Sequence, residues 1–134
     1  MQRLLLDANV LIRFLRADHA QHFKRAKALF EKTEAGEVQL VLLDAVVAEV
    51  VYVLSSVYGV KRPELAQALR PFLFHGGIEC PGALVLEDAL ARFVAKKVDF
   101  MDAYLAAQAK AMGVPVGSFD KDFRKFPDVE CKGL

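Results

Sequence analysis

Four acidic residues stand where solvation alone does not explain a carboxylate. Asp7 closes the short apolar run Arg3–Leu6, and Asp120 follows Val114-Pro115-Val116 and Ser118-Phe119. Each falls at the carboxyl end of an expected strand, the edge at which open α/β sheets bind ligands. An aspartate there also suits the cap of the following helix or turn, so position alone leaves both roles open. Glu49 is the sharper case. It is the only charged residue between Asp44 and Lys61, with Val46, Val50 and Val53 beside it at helical spacing. The sequence therefore predicts a carboxylate with no polar face to occupy. Burying it unpaired costs several kcal/mol or more, so it must pair with a buried cation or ligate a metal; the metal is the favoured reading. Asp102 opens an alanine-rich apolar segment, and Asp99 lies three residues earlier on the same side of the helix. Asp99 suits the N-cap, whereas Asp102 sits a turn inside.

Acids drawn from distant parts of a chain make sense together if a cation holds them. Hard divalent cations take oxygen ligands and are commonly bound through carboxylates and substrate phosphates. Such a site suits phosphodiester hydrolysis, because a bound cation makes water a better nucleophile and stabilises the leaving oxygen. No histidine joins the set.

The elements that must position these acids are legible from periodicity. Arg3–Leu6 reads as a strand running into a helix through Val10, Leu11, Phe14 and Leu15. His19–Ala35 reads as a second helix stopped by Gly36. Val38–Leu43 is a strand, with Asp44 the expected N-cap of a helix over Ala45–Tyr58. That run is valine-rich, which favours strand by propensity, but its length favours a buried helix. A helix from Pro63 to about His75 precedes a strand at Ile78–Cys80 and a Pro81-Gly82 turn. Leu84–Lys97 and Asp99–Met112 are two more helices, and short strands follow at Val114–Val116 and Val129–Cys131. Strands separated by helices predict an α/β/α sandwich with a mostly parallel central sheet flanked by helices, in one domain spanning residues 1–134.

A 54% hydrophobic chain with mean hydropathy +0.26 holds more apolar surface than a core requires, which points to a buried parallel sheet, a dimer interface, or both. The balance of 18 basic against 17 acidic residues gives no general polyanion-binding signature. Cys80 and Cys131 read as reduced thiols, a bridge requiring neighbouring strands. Leu4-Leu5-Leu6 is too short for a signal peptide core, so the expectation is a soluble, cytoplasmic protein.

The segments Leu6-Asp7-Ala8-Asn9, Glu49 on its helix, Asp99-Phe100-Met101-Asp102-Ala103 and Ser118-Phe119-Asp120-Lys121-Asp122-Phe123 together resemble the PIN domain. Length and spacing are similar to VapC-type toxins of toxin–antitoxin systems, over essentially the whole chain. The resemblance implies that Asp7, Glu49, Asp102 and Asp120 hold Mg²⁺ or Mn²⁺ in an endoribonuclease acting on RNA. It also implies that Asn9 and Ser118 hydrogen-bond the carboxylates or bound water, and that Asp122 and Asp99 are additional acids. A homodimer neutralised by a small antitoxin protein is the implied assembly.

Other signals are weaker. His19 and His22 have ligand-like spacing but no third ligand, so a solvated helix face outweighs a zinc site. Arg13 and Arg16, and Lys121, Arg124 and Lys125, either flank an RNA path or are ordinary surface. Phe119, Phe123 and Phe126 read as core. A phosphotransferring dehalogenase-like enzyme would want a second aspartate where Asn9 stands, and a receiver domain would want an acidic pair at the first strand. A PIN-like module that binds RNA or protein without cutting is the remaining alternative.

Overall fold

The computed structural model describes residues 1–134. The chain divides into two compact units, residues 1–83 and 84–134.

The first unit holds β1 (Gln2–Leu5), α1 (Ala8–Arg16), α2 (Ala20–Glu34), β2 (Val38–Val41), α3 (Asp44–Ser56), α4 (Arg62–Leu73) and β3 (Ile78–Glu79). Its sheet runs β1-β2-β3 with both pairings parallel, Leu4 opposite Leu40 and Leu40 opposite Ile78. Central β2 buries Val38 and Leu40, and Leu42 just beyond it is also sealed from solvent. Also buried are Leu11 and Ile12 of α1, Val47, Val50, Val51 and Leu54 of α3, and Leu65 and Leu69 of α4, with α1 packed on α2 and α3, and α3 on α4. Phe14, Phe23, Phe30 and Phe72 interlock beside them, Phe14 and Phe30 at 4.8 Å between ring centres.

The valine-rich run is a helix, as its length predicts: burial of one face outweighs the strand propensity of its β-branched residues. β2 ends two residues earlier than expected, and Leu43 rather than Asp44 takes the N-cap position, leaving Asp44 as the first helical residue. His19 caps α2, its Nδ1 accepting from the His22 backbone N–H at 3.1 Å. At the turn into β3, a side chain on Gly77 would collide with the methyl group of Thr33. Thr33 is the one buried polar residue, and its hydroxyl donates to the Leu29 carbonyl.

The second unit follows with α5 (Ala83–Ala95, beginning at the boundary residue), α6 (Phe100–Met112), β4 (Val116–Ser118), a 3-10 turn (Lys121–Lys125) and β5 (Cys131–Gly133). β4 and β5 pair in parallel, Val116 opposite Cys131. Both strands start two residues later than the sequence suggests. The Val114 N–H still closes the end of α6 on the Ala109 carbonyl, Pro115 has no donor, and the Val129 N–H is held in a turn by Phe126. Cys80 and Cys131 are both free thiols, as expected. No helix is long and apolar enough to cross a membrane.

Arg92 ties this unit together. Its guanidinium donates twice to Asp128, at 2.9 and 2.6 Å, and once to Asp88 at 3.1 Å, while lying 5.3 Å from the Phe126 ring centre. With only 11% of that side chain exposed, Arg92→Ala should cost about 1.5–3 kcal/mol, as expected for the loss of charge-assisted hydrogen bonds. Thermal unfolding should register the loss, and an unchanged midpoint would show the cluster to be incidental.

Candidate metal centre

Asp102 is the third residue of α6, in its first turn and half-buried. Alanines at 103, 106 and 107 are buried along the flank of the helix next to Asp102, which leaves Asp102 at the boundary between core and solvent. Asp120 follows β4 after Phe119. Its backbone N–H donates to Ser118 Oγ at 2.9 Å, and its own Oδ1 accepts from the Asp122 N–H at 2.8 Å. Asp122, half-buried, is the second residue of the 3-10 turn. One carboxylate oxygen from each of Asp102, Asp120 and Asp122 lies within 4.8 Å of the others. Lys125 Nζ stands 3.2 Å from Asp122 and also donates to the Lys97 carbonyl at 2.9 Å, joining the turn to the loop before α6.

The electrostatics of the group are set by competition. A helix N-terminus favours a charged Asp102. Yet burial first, and then the charges of Asp120, Asp99 and Asp122, push its carboxyl above the ordinary aspartate range. Repulsion and desolvation outweigh the dipole, as when carboxylates share a site. A hard divalent cation relieves both effects. Oxygens sharing one Mg²⁺ sit roughly 3–4 Å apart, so the observed spread needs only small side-chain rotations. The donor set fits such an ion.

The sequence-predicted residues separate into two groups. Asp102, Asp120 and Asp122 converge, with Asp99 near enough to act on Asp102 through its charge. Asp7, Asn9 and Glu49 belong to the first unit, where α1 packs on α3. Asp7 occupies the N-cap of α1 but makes no side-chain capping bond, so its exposed carboxylate is not consumed by the helix. Asp120 does perform the capping that the sequence left open, through one oxygen only. Asp99 takes the expected N-cap position of α6, again without a side-chain bond.

Glu49 corrects an expectation. It is exposed, on a stripe with Ala45, Tyr52 and Ser56 that turns away from buried Val47, Val50, Val51 and Leu54. Spacing of four, three and four residues makes one helical face. Glu49 looked faceless in the sequence because that face carries alanine, tyrosine and serine rather than charges. Phe119 is a second correction: Phe123 and Phe126 are core at 2% exposure, but Phe119 is 83% exposed beside Asp120. The Lys125–Asp122 contact was missed, although the i,i+3 spacing on a short turn could have signalled it. His19 and His22 stack at 3.8 Å on an exposed helix start, consistent with a surface role.

Residues 4–129 match the PIN domain family. The chain belongs to that family. The match covers nearly every residue and runs through both units, and the α/β architecture with parallel pairing throughout is that of a PIN domain. No curated protein matches the chain. PIN domains are generally metal-dependent nucleases, and the three converging aspartates of this PIN domain are a possible metal site.

The raised Asp102 carboxyl gives a pH dependence with a definite sign. Its folded-state value lies above the ordinary aspartate value of 3.8, so in EDTA the native state binds a proton more readily than the unfolded chain. The metal-free protein should gain stability as pH falls through that raised value, the gain being complete near 3.8. Asp128, lowered first by its Arg92 bond, loses its own contribution only as pH falls below 3.8. Stabilisation by added Mg²⁺ should shrink over the same window, since protons and metal compete for Asp102. Thermal melts against pH, with and without Mg²⁺, check this; an Asp102→Asn profile identical to wild type would refute the assignment.

Proposed function

We propose that this PIN domain is an endoribonuclease using Mg²⁺ or Mn²⁺, the toxin of a VapBC-type toxin–antitoxin pair. The convergence of Asp102, Asp120 and Asp122 at oxygen-ligand spacing is the observation that carries the reading. Asp7, left free by α1, and exposed Glu49 complete the proposed acid set. Bound there, the divalent ion supplies electrophilic stabilisation of the phosphodiester and a more acidic water. The chain's own residues do the rest. Asp102 and Asp122 present oxygens from a half-buried edge, and Asp120 keeps one oxygen free because the other fixes the turn. Ser118 holds the Asp120 backbone, and Lys125 moderates the repulsion among the three acids.

The partners are part of the proposal. RNA is the substrate, two copies form a homodimer, and a small antitoxin covers the acids, offering an arginine whose planar fork pairs bidentately with carboxylates. Exposed Tyr52, Val57, Met112 and Phe119 supply apolar surface for such assembly. Cleavage of RNA with Mg²⁺ or Mn²⁺, abolished by EDTA, is the deciding experiment. RNA binding without metal-dependent cutting would favour the non-catalytic module. Expression of the wild-type gene should harm its host where an Asp7→Asn version does not, and light scattering should give a dimer mass.

A further inference from the structure

Between α1 and α2 of the first unit lies an open groove of about 360 Å³. Its apolar walls are Val10, Ala26 and Leu29, and its polar rim is Asn9, Arg13, His22 and Arg25, with no acid lining it. Arg13 also reaches Asp18 at 3.3 Å, and Asp18 in turn accepts the Tyr58 hydroxyl at 2.7 Å, so one of the cations is partly compensated. Arg16 turns elsewhere, its guanidinium 5.0 Å from the Tyr58 ring centre. Arg25 is exposed. The cationic fields meet at His22, whose imidazole is held below its usual range by partial desolvation and then by His19, Arg13 and Arg25.

We propose that this groove seats one nucleotide of a single-stranded RNA substrate, its phosphodiester on Arg13 and Arg25 and its base against Val10, Ala26 and Leu29. The proposal rests on the ribonuclease reading and extends it to how the strand is held. Guanidinium forks match phosphate oxygens in pairs, and the apolar walls suit the faces of a base of any sequence. The volume lies at the lower end of small-ligand pockets, about 300–1,000 Å³. Asn9 stands at the rim two residues beyond Asp7, so a nucleotide held here adjoins the start of α1, where one proposed acid sits. A phosphate between two arginines gains charge pairing that salt screens.

The test uses the full chain and a short fluorescein-labelled single-stranded RNA in EDTA, where cutting is silent and anisotropy reads affinity across a salt series. Arg25→Ala should weaken binding at least about 5-fold and flatten the slope of log affinity against log salt by about 1. Lys27→Ala removes the same charge from the same helix outside the groove and should leave both readouts unchanged. Equal losses in the two variants would reduce the effect to net charge and overturn the proposal. Unchanged RNA affinity in Arg25→Ala, alongside metal-dependent cleavage by the wild type, would overturn the groove and leave the nuclease reading intact. Unchanged RNA affinity with lost binding of an acidic peptide would reassign the groove to a protein partner. Failure of the wild type both to bind and to cut RNA would remove the reading and the groove with it.

Discussion

Asp102→Asn and Asp120→Asn should each reduce metal-dependent cleavage at least about 100-fold while leaving the protein folded. Loss of an outer partner to a metal ligand already costs roughly 10–100-fold, and loss of a ligand costs no less. The two variants should differ in the absence of metal. Asp102 carries a carboxylate that burial and three neighbouring acids destabilise, so replacing it with a neutral amide should raise the thermal midpoint in EDTA. Asp120 is exposed, and its Oδ1 accepts the Asp122 N–H. Asparagine keeps that acceptor and should be close to neutral for stability, whereas Asp120→Ala loses it and should cost about 0.5–2 kcal/mol, the usual effect of deleting a cap. In both Asn variants Mg²⁺ should raise the midpoint less than in wild type, since ligand binding to the native state is read directly as stability. Nuclease assays and melts with and without Mg²⁺ separate these effects. Unfolding without a selective loss of catalysis, or unaltered metal stabilisation, would remove the aspartates from the metal centre.

The elements proved easier to read than the environments of their side chains. A 3.6-residue period in α3 survives its many valines because Val47, Val50, Val51 and Leu54 must all reach the core. Helix ends were legible to within a few residues, Gly113 being a clear case: it takes a positive φ of 69° at the end of α6, a conformation that favours glycine. The short strands slipped because Pro115 and the turn at Val129 decide where pairing can begin, and hydrophobic pattern carries no trace of that. Three acids of the centre were legible as acids in the right order, Asp122 only as an accessory one. Their grouping depends on the tight return from β4 into the 3-10 turn, which brings Asp122 back beside Asp120 through a backbone bond. Burial was the weakest inference. Absence of charge around Glu49 suggests absence of a solvent face, yet alanine, serine and tyrosine line exposed stripes readily, since much of any folded surface is apolar. The exposed ring of Phe119 escaped for the complementary reason: a Phe every three or four residues suggests one core face, and the break of the chain at Asp120 separates it from Phe123 and Phe126.

Glu49→Gln should fold with wild-type stability and lose at least about 10-fold in cleavage, the lower end of what disturbing a metal site costs. Exposure makes this sharper than the sequence alone allowed. Were Glu49 half of a buried ion pair, the amide would strand a cation and cost about 3–5 kcal/mol. On the open stripe with Ala45, Tyr52 and Ser56 no such penalty arises, and a surface substitution stays within about 0.5 kcal/mol. Any loss of activity is then a loss of function at the site rather than of structure. Asp7→Asn should behave alike, because the Asp7 carboxylate makes no capping bond that the amide would forfeit. Glu31→Gln, an exposed acid of α2, is the matched control and should cleave as wild type does. Mg²⁺ titrations followed by thermal midpoint add a readout independent of turnover: if Glu49 ligates, the gain at a given Mg²⁺ concentration falls in Glu49→Gln, and if it does not, the two titrations superimpose. Full cleavage and superimposed titrations for Glu49→Gln would place it outside the centre and confine the metal to the aspartates.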